Sequence, residues 1–315
     1  MKNIYILSCS QNGGIYQYSF EDGRLTFIQK TPLDRPMYAV IRGNKMYVIL
    51  REIDKITHFG GLLSFDIDEN GSLINPTEIE STNGIVPCHL EVTDGEVYVT
   101  NYLSGNLVKV GEKSVTHQGK GVHPERQDAP HTHCVVLSPD GQRLFCTDLG
   151  VDKIFIYDKQ LNEKNVIQIP SGSGPRHLIF SEDGRYLYCV NELSNTVSVI
   201  KDFTVIDTVS TVPEGVGESY AAAVRIKDNE LYVSNRGADT ISRFFIKAGK
   251  LECVDHTACG GVWPRDFEIV EDYIICTNEK SNSVTVLKSE NGKLKLTDEK
   301  IEMECPLCVL KGEEI

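Results

Sequence analysis

The sequence predicts an all-β fold, a seven-bladed β-propeller of four-stranded antiparallel blades whose ring is closed by its own N- and C-terminal strands. Three observations carry this. First, one pattern recurs along the chain: a Pro-led apolar run, an Asp-Gly or similar turn, a second apolar run ending in Asn or Asp, a short loop, and a third run. Its clearest copy is GPRHLIFSEDGRYLYCVNELSNTVSVI, residues 174–200. Second, the copies begin at Pro36, Pro87, Pro130, Pro175, Ser219, Pro264 and Pro306, spaced by 51, 43, 45, 44, 45 and 42 residues. That period suits one propeller blade, and about 45 residues per blade divides the chain into seven. Third, the last copy, CPLCVLKGEEI, holds only a first run, and its missing runs stand at the other end as NIYILSCSQNGGIYQYSF. A repeat split by the termini requires the two ends to pair, which closes the ring.

The elements follow in order. Each run is rich in Val, Ile, Tyr and Leu and has the length of a strand. Asp94-Gly95, Asp140-Gly141 and Asp183-Gly184 separate first and second runs, as in hairpins. No segment sustains the i, i+3, i+4 spacing of a helix. No linker or composition shift interrupts the period, so residues 1–315 are expected to form a single domain. Cys146, Cys189 and Cys276 share one slot, two residues before the Asp or Asn that ends the second run. They are expected to be small apolar fillers between sheets. Cys305-Pro-Leu-Cys308 is a lone CxxC in the closing strand and lacks the second pair that a zinc site needs.

Composition narrows the function. The formal net charge is −13, which argues against general nucleic-acid binding. The N-terminus, MKNIYILSCSQNGG, does not read as a signal peptide. No apolar stretch approaches the length of a membrane span. Ten cysteines without an export signal suggest a reducing compartment, the cytoplasm.

The first strand of a blade lines the central channel and the second runs antiparallel to it. The start of strand one and the end of strand two therefore share one channel mouth. The starts bring His89, His131, His133, Arg176, His177 and Arg265 there. The ends bring Asn101, Asp148, Asn191, Glu192, Asn235, Arg236, Asn278 and Glu279. Counting back 15 residues from Asp148, Asn191 and Asn235 gives His133, Arg176 and Tyr220, one slot in three successive blades. An acidic protein thus gathers cations at one mouth, which selects an anionic ligand. Arg binds carboxylate or phosphate through a bidentate fork. Taken singly, the Asn and Asp residues read equally well as turn caps, and any one Arg as a blade-to-blade ion pair. His58, His117 and His256 lie outside these slots and are expected to be solvated. Trp263, beside Pro264, reads as a ligand wall or a packed loop residue. His131-Thr132-His133 has the spacing of a metal pair on a strand, but three nearby arginines would repel a dication. No metal and no cofactor are expected.

At these residues the chain resembles the seven-bladed-propeller lactonase family, named for 6-phosphogluconolactonase and related to fungal carboxymuconate cyclase. The resemblance covers essentially the whole chain. It rests on RQDAPHTH (126–133), SPDGQRLFCTDLGVDKIFIY (138–157), GSGPRHLIFSEDGRYLYCVNELSNTVSV (172–199), SNRGADTISRF (234–244), PRDFEI (264–269) and GGIYQYSF near the N-terminus. It implies catalytic roles for His133, Arg176, Glu192 and Arg236, with Arg265 binding ligand. His131, His177, Asp148 and Asn191 are expected to bind substrate beside them. The chain departs from the family at Glu279, where relatives commonly have Gln, and at Arg35-Pro36-Met37-Tyr38, where an Asn-Pro-Ser type is usual.

The implied activity is hydrolysis of a small anionic lactone, foremost 6-phosphogluconolactone. No GxSxG nucleophile elbow occurs, and no Cys is expected beside a His at the channel mouth, so water attack is the simplest route. Glu192 or His133 would act as base. Arg176 and Arg236 would stabilise the oxyanion and hold the substrate's anionic group. Two other readings stay open: a muconate-type lactonizing cycloisomerase, and a non-catalytic propeller binding a small anion or a protein. A metal-dependent, six-bladed gluconolactonase is disfavoured by the blade count.

Overall fold

The computed structural model describes residues 2–314. Among them are 29 strands and no helix. The strands form seven sheets, each a blade, set in chain order around a channel. Blade 4 shows the pattern: Pro175–Phe180 innermost, then Leu187–Asn191, Thr196–Lys201 and Thr204–Ser210 outermost. Every neighbouring pair within it is antiparallel.

Ring closure takes the form expected from the split repeat. Pro306–Glu314 is the inner strand of blade 7, and Lys2–Ser8, Gly14–Glu21 and Arg24–Pro32 complete it. Tyr5 pairs with Leu310, Ile6 with Val309 and Leu7 with Cys308. Blade 1 departs from the four-strand rule. Its outer edge is shared by Leu73–Ile74 and Glu80–Ile85, which both pair with Phe59–Ile67. This accounts for the 51-residue repeat there.

The core lies between blades. Seven hydrophobic clusters fill the seven interfaces, one each. The seam is packed as fully as the rest: Ile4, Ile6 and Val309 of blade 7 meet Val270, Ile275 and Val284 of blade 6. On its other face, Tyr5, Leu7 and Ile15 meet Ala39, Val48 and Leu50 of blade 1. Each such aliphatic side chain contributes about 1.5–3 kcal/mol on burial. Cys146, Cys189 and Cys276 are fully buried in these interfaces, as their slot predicts. Outer strands alternate exposed and half-buried residues, as in Thr204–Ser210. Polar side chains there discourage edge-to-edge association.

Candidate active site

The channel mouth is built by a local irregularity repeated in every blade. The ladder between strands one and two skips one residue near the start of strand one, or two in blades 3 and 5. The skips fall between Pro36 and Tyr38, Pro175 and His177, and Pro264 and Asp266, with equivalents in the other blades. A β-bulge of this kind re-aims its extra side chain. The first bulged residues, read around the ring, are Met37, Cys88, His133, Arg176, Ala222, Arg265 and Leu307.

A second ring comes from the residue just after strand two, or in blade 5 its last residue: Cys9, Arg51, Tyr102, Leu149, Glu192, Arg236 and Glu279. In five blades its amide donates to the carbonyl of the residue preceding the leading proline. These bonds run from Cys9 to Cys305 (2.9 Å), Arg51 to Arg35 (3.0 Å), Tyr102 to Val86 (2.9 Å), Glu192 to Gly174 (2.7 Å) and Glu279 to Trp263 (3.0 Å). All five acceptor residues have positive φ, from 45° at Cys305 to 69° at Trp263. For the four with a Cβ this is a sparsely populated conformation, of the kind found at ligand clamps.

The two rings enclose a cavity of about 240 Å³ lined by Met37, Arg51, Val86, Cys88, Tyr102, Arg126, His133, Glu192, Arg236 and Arg265. A void of about 10 Å³, deeper in the channel, is lined in part by Arg176, His177 and Arg265. A larger cavity, about 550 Å³, opens where the Asp140-Gly141 and Asp183-Gly184 turns lie, against Phe145, Phe180 and Phe203. It sits at the opposite end of the strands, away from the convergent His, Arg and Glu side chains.

Glu192 is the hub of the smaller cavity. Its Oε1 accepts from Arg126 Nη2 at 2.5 Å, and its Oε2 from Arg176 Nε at 3.0 Å. Arg236 Nη2 is 2.7 Å from the same Oε2. Burial opposes ionisation of Glu192, but Arg236, Arg176 and Arg126 outweigh it and hold its carboxyl well below the usual range. Burial, followed by repulsion from Arg236, pushes Arg176 down to about 9, so it stays charged at neutral pH. Arg176 Nη1 also donates to the Ala222 carbonyl at 2.8 Å. Ala222 stands in the bulge ring of blade 5, where the absence of a large side chain leaves room for that guanidinium.

His133 is buried, and its Nδ1 has no hydrogen-bond partner among the described residues. Burial, then the charge of Arg176, lowers its pKa well below the ordinary histidine value, so the ring is neutral. Below it, His177 meets His133 edge-on at 5.3 Å between ring centroids and His89 at 5.6 Å.

The structure brings His133, Arg176, Glu192, Arg236 and Arg265 together at one mouth. His177 lies one layer deeper. His131 stays at the rim, stacked on Tyr102 at 4.5 Å and bonded to the Tyr102 carbonyl. Two expected substrate-binding residues face away from the cavity. Asp148 is buried, accepting from the amides of His131 (2.7 Å) and Gly150 (3.0 Å), with His117 Nδ1 at 2.6 Å. Asn191 donates to Thr196 Oγ1 (2.9 Å) and Ser198 Oγ (2.8 Å) within its own blade. Both staple strand ends, and in each case the next residue, Leu149 or Glu192, stands in the second ring.

Other expectations are corrected as well. Tyr220 pairs with Arg236, so the blade 5 counterpart of Arg176 is Ala222; the wide bulge defeats counting by 15. His117 is buried between Asp148 and Tyr157, and His256 is half-buried against Ser242 Oγ at 2.7 Å. His58 is exposed and pairs with Glu52. Cys88 does line the cavity beside His133. Its thiol is within hydrogen-bond reach of the His133 carbonyl, and burial pushes it up to about 11, which makes it a poor nucleophile. Trp263 packs under Lys280 Nζ, 3.0 Å from the ring centroid.

Among the charged and aromatic cavity residues, three escaped the sequence reading. Arg51 and Tyr102 occupy the same slot as Glu192 and Arg236, so the repeat alignment could have found them. Arg126 comes from the loop before blade 3, where no repeat position marks it.

Residues 3–311 match the family described as "Lactonase, 7-bladed beta-propeller". The chain belongs to this lactonase family. A curated relative, the 6-phosphogluconolactonase of Bacillus subtilis (strain 168), is 30% identical, and the match covers 97% of each chain. Among solved structures, this lactonase-family chain is similar to a Lactobacillus plantarum protein. The TM-score is 0.89 at 28% identity, covering 99% of this chain and 100% of the other. It is also similar to the periplasmic gluconolactonase of Pseudomonas aeruginosa, with a TM-score of 0.90 at 25% identity and 98% of each chain covered. These relationships support lactone hydrolysis as its chemistry.

Proposed function

We propose that this lactonase-family protein hydrolyses a small anionic sugar lactone, and that the lactone is 6-phosphogluconolactone. The observation that carries the reading is the cavity's charge. Four guanidinium groups, those of Arg51, Arg126, Arg236 and Arg265, line it in a protein of net charge −13, with Glu192 the one carboxylate in the wall. Such a cavity selects an anion and holds it by charge-assisted hydrogen bonds.

The residues divide the work as follows. Arg126, Arg176 and Arg236 already share Glu192, which fixes their orientation before substrate arrives. Arg236 in the cavity wall, with Arg176 behind it on the same carboxylate oxygen, stabilises the carbonyl oxygen on which negative charge develops. Glu192 is held too acidic to be an efficient base, so it serves as the anchor of the guanidiniums. His133 is neutral with a free Nδ1, and takes the proton from the attacking water. Its depressed pKa makes it a weak base in the empty site. The substrate's negative charge raises that pKa, and Glu192 stabilises the imidazolium as it forms. The ring opens as the tetrahedral intermediate expels its ring oxygen, which recovers a proton from His133.

Arg51 supports a phosphorylated substrate. Among the described residues it has no carboxylate partner, whereas Arg126 and Arg236 pair with Glu192 and Arg265 pairs with Glu279 at 3.2 Å. Its guanidinium is free to take up a group that an unphosphorylated gluconolactone lacks. All ten cysteines are unpaired, which supports a reducing compartment and a cytoplasmic reaction. The test is turnover of 6-phosphogluconolactone by the purified protein, beside unphosphorylated gluconolactone. A preference for the phosphorylated compound is expected. Consumption of both at no more than the spontaneous rate would overturn the reading.

A further inference from the structure

The seam of the ring carries a second chemical feature, independent of the lactonase reading. Ser8 pairs with Pro306 where the two terminal strands meet. One step further, the Cys9 amide donates to the Cys305 carbonyl at 2.9 Å, and the two thiols are close enough that each perturbs the other's ionisation. Cys305 lies one residue outside the ladder, with its own amide bonded to Asn282 Oδ1 at 2.9 Å, and a direct backbone hydrogen bond between two residues sets their Cα atoms roughly 5–6 Å apart. That lies inside the span of about 4.4–6.8 Å that a disulfide bridges. Both residues are partly exposed, while seven of the other eight cysteines are buried and Cys253 is exposed. Cys308, the partner suggested by CxxC spacing, is buried in the closing strand opposite Leu7.

We propose that Cys9 and Cys305 are a redox-responsive pair, which a low-molecular-weight disulfide oxidises to a bond joining the two terminal strands of the propeller. The pair is polarised for this. The neighbouring Cys9 thiol holds the Cys305 thiol below its ordinary range against burial and the charge of Glu279, and Arg265 adds to it. The same proximity, together with burial, raises Cys9. Cys305 is therefore the first thiolate. It attacks one sulfur of the external disulfide R–S–S–R, forms a mixed disulfide, and releases one R–S⁻. Cys9 then loses its proton and attacks the Cys305 sulfur, and the second R–S⁻ leaves. Two protein thiols are oxidised, one external disulfide is reduced to two thiols, and the two protons pass to the leaving groups.

The bond would join residues nearly 300 apart in the chain, and cross-links that close long loops restrict the unfolded state most. It would also reach the cavity wall. Cys9 Sγ lies 3.4 Å from Met37 Sδ, and Met37 lines the cavity.

The experiment treats the reduced full-length protein with oxidised glutathione, in a Cys253→Ser background that removes the competing exposed thiol. The expected result is the loss of two hydrogen atoms in intact mass, a peptide containing Cys9 linked to one containing Cys305, and a thermal midpoint raised by roughly 5 °C or more. Dithiothreitol should reverse all three, and Cys9→Ser or Cys305→Ser should abolish the link. Peptide mapping of the parent protein decides the matter even where a variant folds poorly. Stable glutathione adducts on both residues, a Cys305–Cys308 link, or no reaction would each overturn the proposal.

Discussion

Arg176 Nε stands 3.0 Å from Glu192 Oε2, and the two residues come from neighbouring segments of one blade, 16 positions apart. Arg176 is the bulged residue of its strand, and Glu192 is the first residue beyond the next. The pair is thus set by the blade itself, and neighbouring blades supply the other guanidiniums.

Glu192→Gln should destabilise the fold as well as the site. It leaves the buried Arg176 and Arg236 without their shared counter-charge. Breaking such a pair costs about 3–5 kcal/mol. Denaturant unfolding should show this loss, while binding of inorganic phosphate is unchanged or tighter. Parental stability would mean that the carboxylate does not hold the cage.

Arg176→Ala should lower kcat by roughly 10²–10³-fold, the usual size for removing one oxyanion donor. The measurement is steady-state kinetics on 6-phosphogluconolactone. A raised KM with kcat unchanged would reassign Arg176 to holding the anion.

Arg51→Ala should separate substrate recognition from chemistry. KM for the phosphorylated lactone is expected to rise about tenfold, in keeping with loss of one charge-assisted hydrogen bond. Its kcat, and all constants for unphosphorylated gluconolactone, should stay near parental values. An equal effect on both substrates would exclude a phosphate contact.

Stability should fall as the solution is acidified below about pH 6.5. Burial, then Arg225, lowers His89 to about 3 from 6.5, and burial with Arg176 depresses His133 and His177 in the same direction. Between the folded and unfolded pKa values the unfolded chain binds more protons. Each of these histidines therefore costs about 1.4 kcal/mol per pH unit of descent. Their stabilising effect is complete above pH 6.5. Glu192, depressed from 4.5, acts in the same sense at lower pH. Thermal midpoints of His89→Gln, which cannot titrate, should fall less steeply with pH than those of the parent.

Deleting residues 305–315 should unfold the whole ring. The deletion strips Lys2–Ser8 of its inner partner and removes Leu307, Cys308 and Val309 from three blade interfaces. A truncated chain with an unchanged thermal midpoint would show that the seam is not needed for closure.

The sequence by itself determined the blades, their number, the split repeat that closes the ring, and the mouth at which Arg and His gather. These are written in spacing and in the alternation of apolar runs and turns, which are local properties of the chain. It also marked Glu192 and Arg236, because each follows the Asn at the exit of strand two. Only the tertiary structure decided which side chains enter the cavity. Asp148 and Asn191 lie one residue from that ring and turn into the blade, since a single step along a strand reverses the direction of a side chain. Arg51 and Tyr102 share the repeat slot of Glu192 in other blades, but Arg126 comes from a loop, tens of residues from Glu192, and no local signal links it to the site. The bulges set the final arrangement. A one- or two-residue slip in register leaves the repeat length almost unchanged, yet it determines whether blade 5 presents Tyr220 or the small Ala222 beside Arg176.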